Sequence, residues 1–201
     1  MLLNKNNSLK NLNTFGVDVK AKLFAEVFSE DEISDLLADE KINRERKLIL
    51  GSGSNILFTK DFDGLVIKLS AAKILIVEED ADFVLVEAGA GVIWDELVKY
   101  CVGRNFGGVE NLTLIPGTIG AAPIQNIGAY GQELADNFDS LRGVFIKSAK
   151  KKSFTKSDCR YPSNLSMVRL PPCFTSGRRD CIGTSAVCQE NLPAIHQYNL
   201  S

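Results

Sequence analysis

Residues 107–131 read Gly107-Gly-Val-Glu-Asn-Leu-Thr-Leu-Ile-Pro116-Gly117-Thr-Ile-Gly120-Ala121-Ala-Pro-Ile-Gln125-Asn126-Ile-Gly128-Ala129-Tyr130-Gly131. The stretch has neither a helical nor a strand period. It is dense in small residues, and Pro116-Gly117 predicts a turn with a positive φ at the glycine. A long irregular segment inside a compact domain tends to be functional. Its small residues let backbone approach a flat ligand closely. Gly120, Ala121, Gly128 and Ala129 supply that approach. Gln125 and Asn126 supply donors and acceptors, and Tyr130 an aromatic face or a hydroxyl.

Two shorter glycine segments lie upstream. Lys47-Leu48-Ile49-Leu50 reads as a strand running into Gly51-Ser52-Gly53-Ser54-Asn55. Successive N–H groups in such a turn form an anion-binding concavity. Ser52, Ser54 and Asn55 add side-chain donors, so the turn suits a pyrophosphate. It is not the dinucleotide fingerprint G-x-G-x-x-G, because Ile56 stands at the third glycine, and it lacks the lysine of a P-loop. Gly89-Ala90-Gly91 is a second strand-to-helix turn. It is either a tight loop or a place where a helix N-terminus points at the same ligand. Three glycine-rich segments in one domain predict a shared cavity.

The rest of the chain supplies the scaffold. Ser29 with Glu32 forms a capping-box pattern, and Ile33, Leu36 and Leu37 predict a short amphipathic helix over 30–40. Residues 65–69, 74–77, 83–88 and 143–147 read as strands. Trp94, Leu97, Val98 and Cys101 predict a helix that stops at Gly103. Strands and helices do not alternate regularly, so the class is α+β.

Composition narrows the function. The 201 residues carry 23 basic and 25 acidic side chains, a net charge of −2, and are 45% hydrophobic. This is a globular composition without the basic field that nucleic-acid binding requires. Lys147, Lys150, Lys151 and Lys152 read as a solvated hairpin tip. No stretch predicts a membrane span or a signal peptide, so the expected compartment is the cytoplasm. The 5 cysteines form no C-x-x-C pair and His196 is the single histidine, so no metal site is expected.

Together, Asn13-Thr14-Phe15-Gly16, Gly51 through Leu57, and Gly108-Val109-Glu110-Asn111-Leu112 on through Ile115-Pro116-Gly117 to Gly131 resemble the UDP-N-acetylenolpyruvoylglucosamine reductases, also called UDP-N-acetylmuramate dehydrogenases. The resemblance runs from about Asn11 to Tyr161. It implies a two-lobed FAD-binding domain of the vanillyl-alcohol-oxidase (PCMH) type over 1–161. It also implies that NADPH reduces FAD, and that reduced FAD reduces the enolpyruvyl group of a UDP-sugar to give UDP-N-acetylmuramate, a peptidoglycan precursor. Residues 51–55 would lie along the FAD phosphates, and residues 116–131 would wrap the pyrophosphate and flavin ring.

The resemblance ends abruptly. The family continues Cys-Arg-Phe-Gly-Tyr-Arg, the last arginine stabilising a developing enolate. Here the chain reads Cys159-Arg160-Tyr161-Pro162-Ser163-Asn164. Arg160 matches the motif's first arginine, so no catalytic residue is assigned. The family's proton-donating serine segment and late glutamate have no counterpart in 162–201, and the substrate domain they belong to is missing. Lysine disappears after Lys156, while Pro162, Pro171, Pro172 and Pro193 crowd the tail. These changes predict that 162–201 is a disordered, non-family tail translated out of frame. An alternative C-terminus is the competing reading.

Overall fold

A computed structural model of the protein describes residues 2–125, 127–159 and 181–191. The described chain forms two α+β lobes, each built on its own sheet. The first sheet has the order β1-β2-β4-β3, from Leu3–Ser8 (β1), Lys20–Val27 (β2), Lys47–Leu50 (β3) and Phe62–Leu69 (β4). β1 pairs antiparallel with β2, while β2 and β3 both run parallel to β4. α1 (Glu30–Ala38) and α2 (Glu40–Arg44) carry the chain from β2 to β3, and residues 51–61 carry it from β3 to the parallel β4.

α1 begins as its sequence predicts. Ser29 Oγ accepts from Glu32 N–H at 3.2 Å, and the Glu32 carboxylate accepts from Phe28 N–H at 2.7 Å. Glu30, Asp31 and Glu32 place negative charge at the helix N-terminus. The helix ends two residues before the expected residue 40, because Asp39 turns extended and caps α2 through Lys41 and Ile42 N–H. Ile33, Leu36 and Leu37 pack with Ala25, Val27, Leu65 and Ile67 in a buried cluster. Ala90 and Val144 from the second lobe complete that cluster, so it joins the lobes. The opposite face of the sheet buries Leu9, Val19, Phe24, Leu50, Phe58 and Val66. β4 is therefore buried on both faces, which explains its unbroken Leu65-Val66-Ile67 run.

The second sheet has the order β10-β9-β11-β6-β5, all antiparallel. Its strands are Ile74–Glu79 (β5), Phe83–Gly89 (β6), Phe138–Phe145 (β9), Lys151–Thr155 (β10) and Cys181–Asn191 (β11). Between β6 and β9 lie α3 (Trp94–Val102), α4 (Ala122–Gln125), a small hairpin of β7 (Gly128–Ala129) and β8 (Gln132–Glu133), and α5 (Leu134–Asn137). A last turn, α6 (Lys156–Cys159), follows β10. Trp94, Leu97, Val98 and Cys101 all face the core beside Val84, Val86, Phe138 and Phe154. No helix among the described residues is long and apolar enough to cross a membrane.

Several elements differ from the sequence expectation. β1 reads LNKNNS, with no apolar alternation, and it pairs as an edge strand all the same. β9 starts at Phe138, five residues before the expected strand, because Glu133 and Asp136 close a capping box on α5 that sets its start. Lys147 and Lys150 lie between β9 and β10, where a solvated tip is expected, but Lys151 and Lys152 belong to β10 itself. The largest departure is at Cys181–Asn191. No strand period is visible there, and the segment is expected to be disordered; it forms β11, paired on both sides. A strand flanked on both edges takes its order from its neighbours' ladders, which leave few marks in its own alternation. Arg160, Tyr161 and the remainder of 162–201 lie outside the described residues.

Candidate flavin site

The end of β3 opens a cleft of about 620 Å³. Leu48–Ile56 form one wall, Leu69 of β4 joins it, and Gly117, Thr118, Gly120, Ala121, Ile124 and Gln125 form the other. None of these lining residues is charged. The apolar part suits a flat ring system, and the polar part is concentrated in the Gly51–Asn55 turn.

The turn is held open by close packing. A β-carbon on Gly51 would lie 2.8 Å from Thr118 Oγ1, and one on Gly53 would lie 2.9 Å from Asn13 Cα. Gly53 also has φ +71°, a region that favours glycine. Ser52 Oγ donates to Ser54 Oγ at 3.0 Å. Among the described residues, the N–H groups of Ser52, Gly53, Ser54 and Asn55 donate to no protein acceptor. Buried or partly buried backbone donors are normally paired. Gly53 is buried and Ser54 half-buried, whereas Ser52 and Asn55 are exposed; successive N–H groups in such a glycine-rich turn form a concavity for an anion. The donor set therefore fits the pyrophosphate of FAD without a lysine or arginine.

The opposite wall is fixed from behind. Trp94 N–H donates to Gly117 O at 3.1 Å, Ile119 N–H to Val92 O at 2.9 Å and Gly120 N–H to Ala90 O at 3.0 Å. A β-carbon on Gly120 would lie 2.8 Å from Ala90 Cβ. Gly89-Ala90-Gly91 thus serves as a backing for residues 117–120. Gly91 itself presses on Ser70, where a β-carbon would come within 2.6 Å of Cα. The first N–H of α3 goes to Gly117 O, so the turn acts on the cleft through its wall. Gly117 adopts φ +142°, consistent with the positive φ expected after Pro116.

The loop before this wall is strapped to α3. Trp94 Nε1 donates to Leu112 O at 2.7 Å. Asp95 accepts from Thr113 Oγ1 and from Leu114 N–H, each at 2.9 Å, and pairs with Lys99 at 2.7 Å. Lys99, the Leu114 N–H and Thr113 together hold the Asp95 carboxyl down at about 2. Gln132 and Asn137 side chains both donate to Gly108 O, tying the start of the segment to β8 and α5.

Of the residues singled out in the sequence, Gly51, Ser52, Gly53, Ser54, Asn55, Gly117, Gly120, Ala121 and Gln125 share this cleft. Pro116 precedes it without lining it. Gly128 and Ala129 form β7, and Tyr130 is 89% exposed at the tip of the β7–β8 hairpin. Tyr130 (φ +53°) and Gly131 (φ +80°) make a turn with both central residues left-handed. Asn126 lies outside the described residues. Thr118, Leu69 and Ile124 line the cleft without having been singled out. Thr118 sits between Gly117 and Gly120 and was legible by position; Leu69 comes from another strand and carries no local signal. Among the described residues, no cluster of three or more His, Cys, Asp or Glu could hold a metal ion.

Residues 21–148 match the family described as FAD binding domain. The chain is 47% identical over 161 residues to the UDP-N-acetylenolpyruvoylglucosamine reductase of Flavobacterium johnsoniae, covering 80% of this chain and 47% of that protein. The reductase of the same name from Amoebophilus asiaticus is 45% identical over 161 residues, covering 80% and 48%. The chain thus spans about half the length of the reductases it matches. Among solved structures, the UDP-N-acetylenolpyruvylglucosamine reductase of Thermus caldophilus superposes with a TM-score of 0.70 at 20% identity, over 96% of this chain and 63% of that one. The cholesterol oxidase of B. sterolicum gives 0.62 at 14% identity, over 94% and 37%. At these identities the structural likeness speaks to the fold.

Proposed function

The chain belongs to the FAD-binding domain family, and from that premise we propose that its cleft binds FAD, with the pyrophosphate against Gly51–Asn55 and the flavin toward residues 117–125. The carrying observation is the set of backbone N–H groups at Ser52–Asn55 that face no protein acceptor in an otherwise uncharged cleft. Pro116, Gly128, Ala129 and Tyr130 do not line this cleft, so the proposed cofactor-contacting set is Gly51–Asn55, Gly117, Gly120, Ala121 and Gln125. Bound FAD supplies hydride transfer, accepting from one substrate and donating to another. The names of the relatives support reduction of a UDP-N-acetylenolpyruvoylglucosamine as the reaction; NADPH as the hydride source, and a place in peptidoglycan precursor synthesis in the cytoplasm, extend that reading through the sequence resemblance alone.

Residues up to Tyr161 carry the flavin-binding part of that reaction, and the stretch that follows departs from the family's active-site motif. Residues 162–201 offer no arginine in the context Gly-Tyr-Arg and no serine in the proton-donor context. Without the cation, developing negative charge on the substrate has no partner. A frameshift after Tyr161 accounts for the loss, and sequencing the gene in the other two frames tests that part alone. For the function as a whole, the purified protein is mixed with FAD, desalted and assayed with NADPH. The expected result is retained flavin absorbance with no NADPH oxidation stimulated by the UDP-sugar. Substrate-stimulated oxidation would overturn the inactive reading, and a colourless protein would overturn flavin binding.

A further inference from the structure

The N-terminal loop lies outside residues 21–148, the span that matches the FAD-binding family, yet it grips the phosphate-facing turn. Thr14 N–H donates to Gly53 O at 3.2 Å and Thr14 Oγ1 donates to the same oxygen at 3.4 Å. In a trans peptide the carbonyl and the following N–H point in opposite directions. Two donors from Thr14 therefore fix the Gly53–Ser54 plane with the Ser54 N–H turned away from the N-terminal loop, and Ser54 lines the cleft. That N–H has no protein acceptor among the described residues.

Thr14 is itself held by a rigid neighbour. Asn13 is only 7% exposed. Its Nδ2 donates to Leu9 O at 2.7 Å and Val17 O at 3.1 Å, and its Oδ1 accepts from Val17 N–H at 3.0 Å. One side chain thus closes residues 9–17 into a small knot. Gly53 is the residue that lets the knot approach, since a β-carbon there would meet the backbone of Leu12 and Asn13.

We infer that Thr14, seated on the Asn13 knot, is a positioning residue that aims the Ser54 N–H at the pyrophosphate of a bound dinucleotide without touching it. The inference rests on the proposal that the cleft binds FAD. Thr14→Val removes the hydroxyl, and Thr14→Pro removes both donors. The extended backbone of Asn13 (φ −142°, ψ 143°) tolerates a following proline. Thr14→Ser keeps both donors.

FAD affinity is measured by titration against the full chain. The expected outcome is about a threefold loss for Thr14→Val, about a tenfold loss for Thr14→Pro and none for Thr14→Ser, in keeping with modest net contributions from individual hydrogen bonds. The phosphorus NMR resonances of bound FAD should shift in Thr14→Val while the flavin absorption bands stay in place. The thermal midpoint of the ligand-free variants should track neither effect. Should Thr14→Pro fail to fold, the Val and Ser pair decides. Unchanged affinity and unchanged phosphorus resonances in Thr14→Val overturn the inference while leaving FAD binding intact. A wild-type chain that binds no FAD overturns both.

Discussion

Gly53 and Gly117 both adopt positive φ, but their surroundings differ. A β-carbon at Gly53 would meet the backbone of residues 12 and 13, whereas one at Gly117 would meet nothing within 4 Å. Gly53→Ala therefore adds a steric clash to conformational strain, and Gly117→Ala adds strain alone. Holding a non-glycine residue in such a sparsely populated positive-φ region costs about 1–3 kcal/mol. Denaturant unfolding should show Gly53→Ala destabilised by clearly more than that, and Gly117→Ala by about that much. Asp95 offers a second test. Its folded-state carboxyl lies at about 2, below the ordinary 3.8. A depressed acid contributes stability above its unfolded value and loses it as pH falls through its folded value. The melting-temperature gap between wild type and Asp95→Asn should be full above about pH 4 and close toward about pH 2. A gap that is constant across that range would show that the carboxylate does not strap residues 113–114 to α3.

The regular elements were largely legible. The periodicity of Ile33, Leu36 and Leu37, and of Trp94, Leu97, Val98 and Cys101, located α1 and α3 because each helix buries one face against one sheet. Elements whose order comes from neighbours were not. β1 is polar, and β11 is a two-sided insertion whose partners are remote in sequence. The site was legible in its first wall, since Gly51–Asn55 announce their chemistry locally. In the second wall the small residues were legible, but which of them face the cleft was not. Gly117 through Gln125 do, while Tyr130 stands at a hairpin tip. The lobe junction was also hidden. Arg142 on β9 reaches Glu87 on β6 through two contacts of 2.5 and 3.1 Å and Glu30 on α1 at 2.6 Å. The Arg142 side chain is 43% exposed, so solvent screens these pairs. Arg142→Met should cost about 1 kcal/mol in urea unfolding at low salt and less in about 1 M salt.

The two lobes form one body because the cluster around Leu65 and Ile67 includes Ala90 and Val144 from the other sheet. The cleft opens between β3 of the first lobe and residues 117–125, which the second lobe backs. The second sheet depends on β11, which joins the β5–β6 pair to the β9–β10 pair. Val187 of β11 pairs with Glu87 on one side and Ser140 on the other. Proline within a central strand removes a ladder hydrogen bond and is found essentially only on edges. Val187→Pro should therefore destabilise the whole fold, read as a lower thermal midpoint and as aggregation through the exposed edges of β6 and β9. An unchanged midpoint would mean that the sheet closes without β11.

The central claim is that the cleft between Gly51–Asn55 and Gly117–Gln125 is a flavin site. Titration of the purified chain with FAD, followed by flavin absorbance, tests it directly when paired with Ala121→Phe, which fills the cleft from its wall. Saturable binding to the wild type, abolished in a folded Ala121→Phe variant, is the predicted result. Binding that survives Ala121→Phe, or a wild type that binds no FAD, would contradict it.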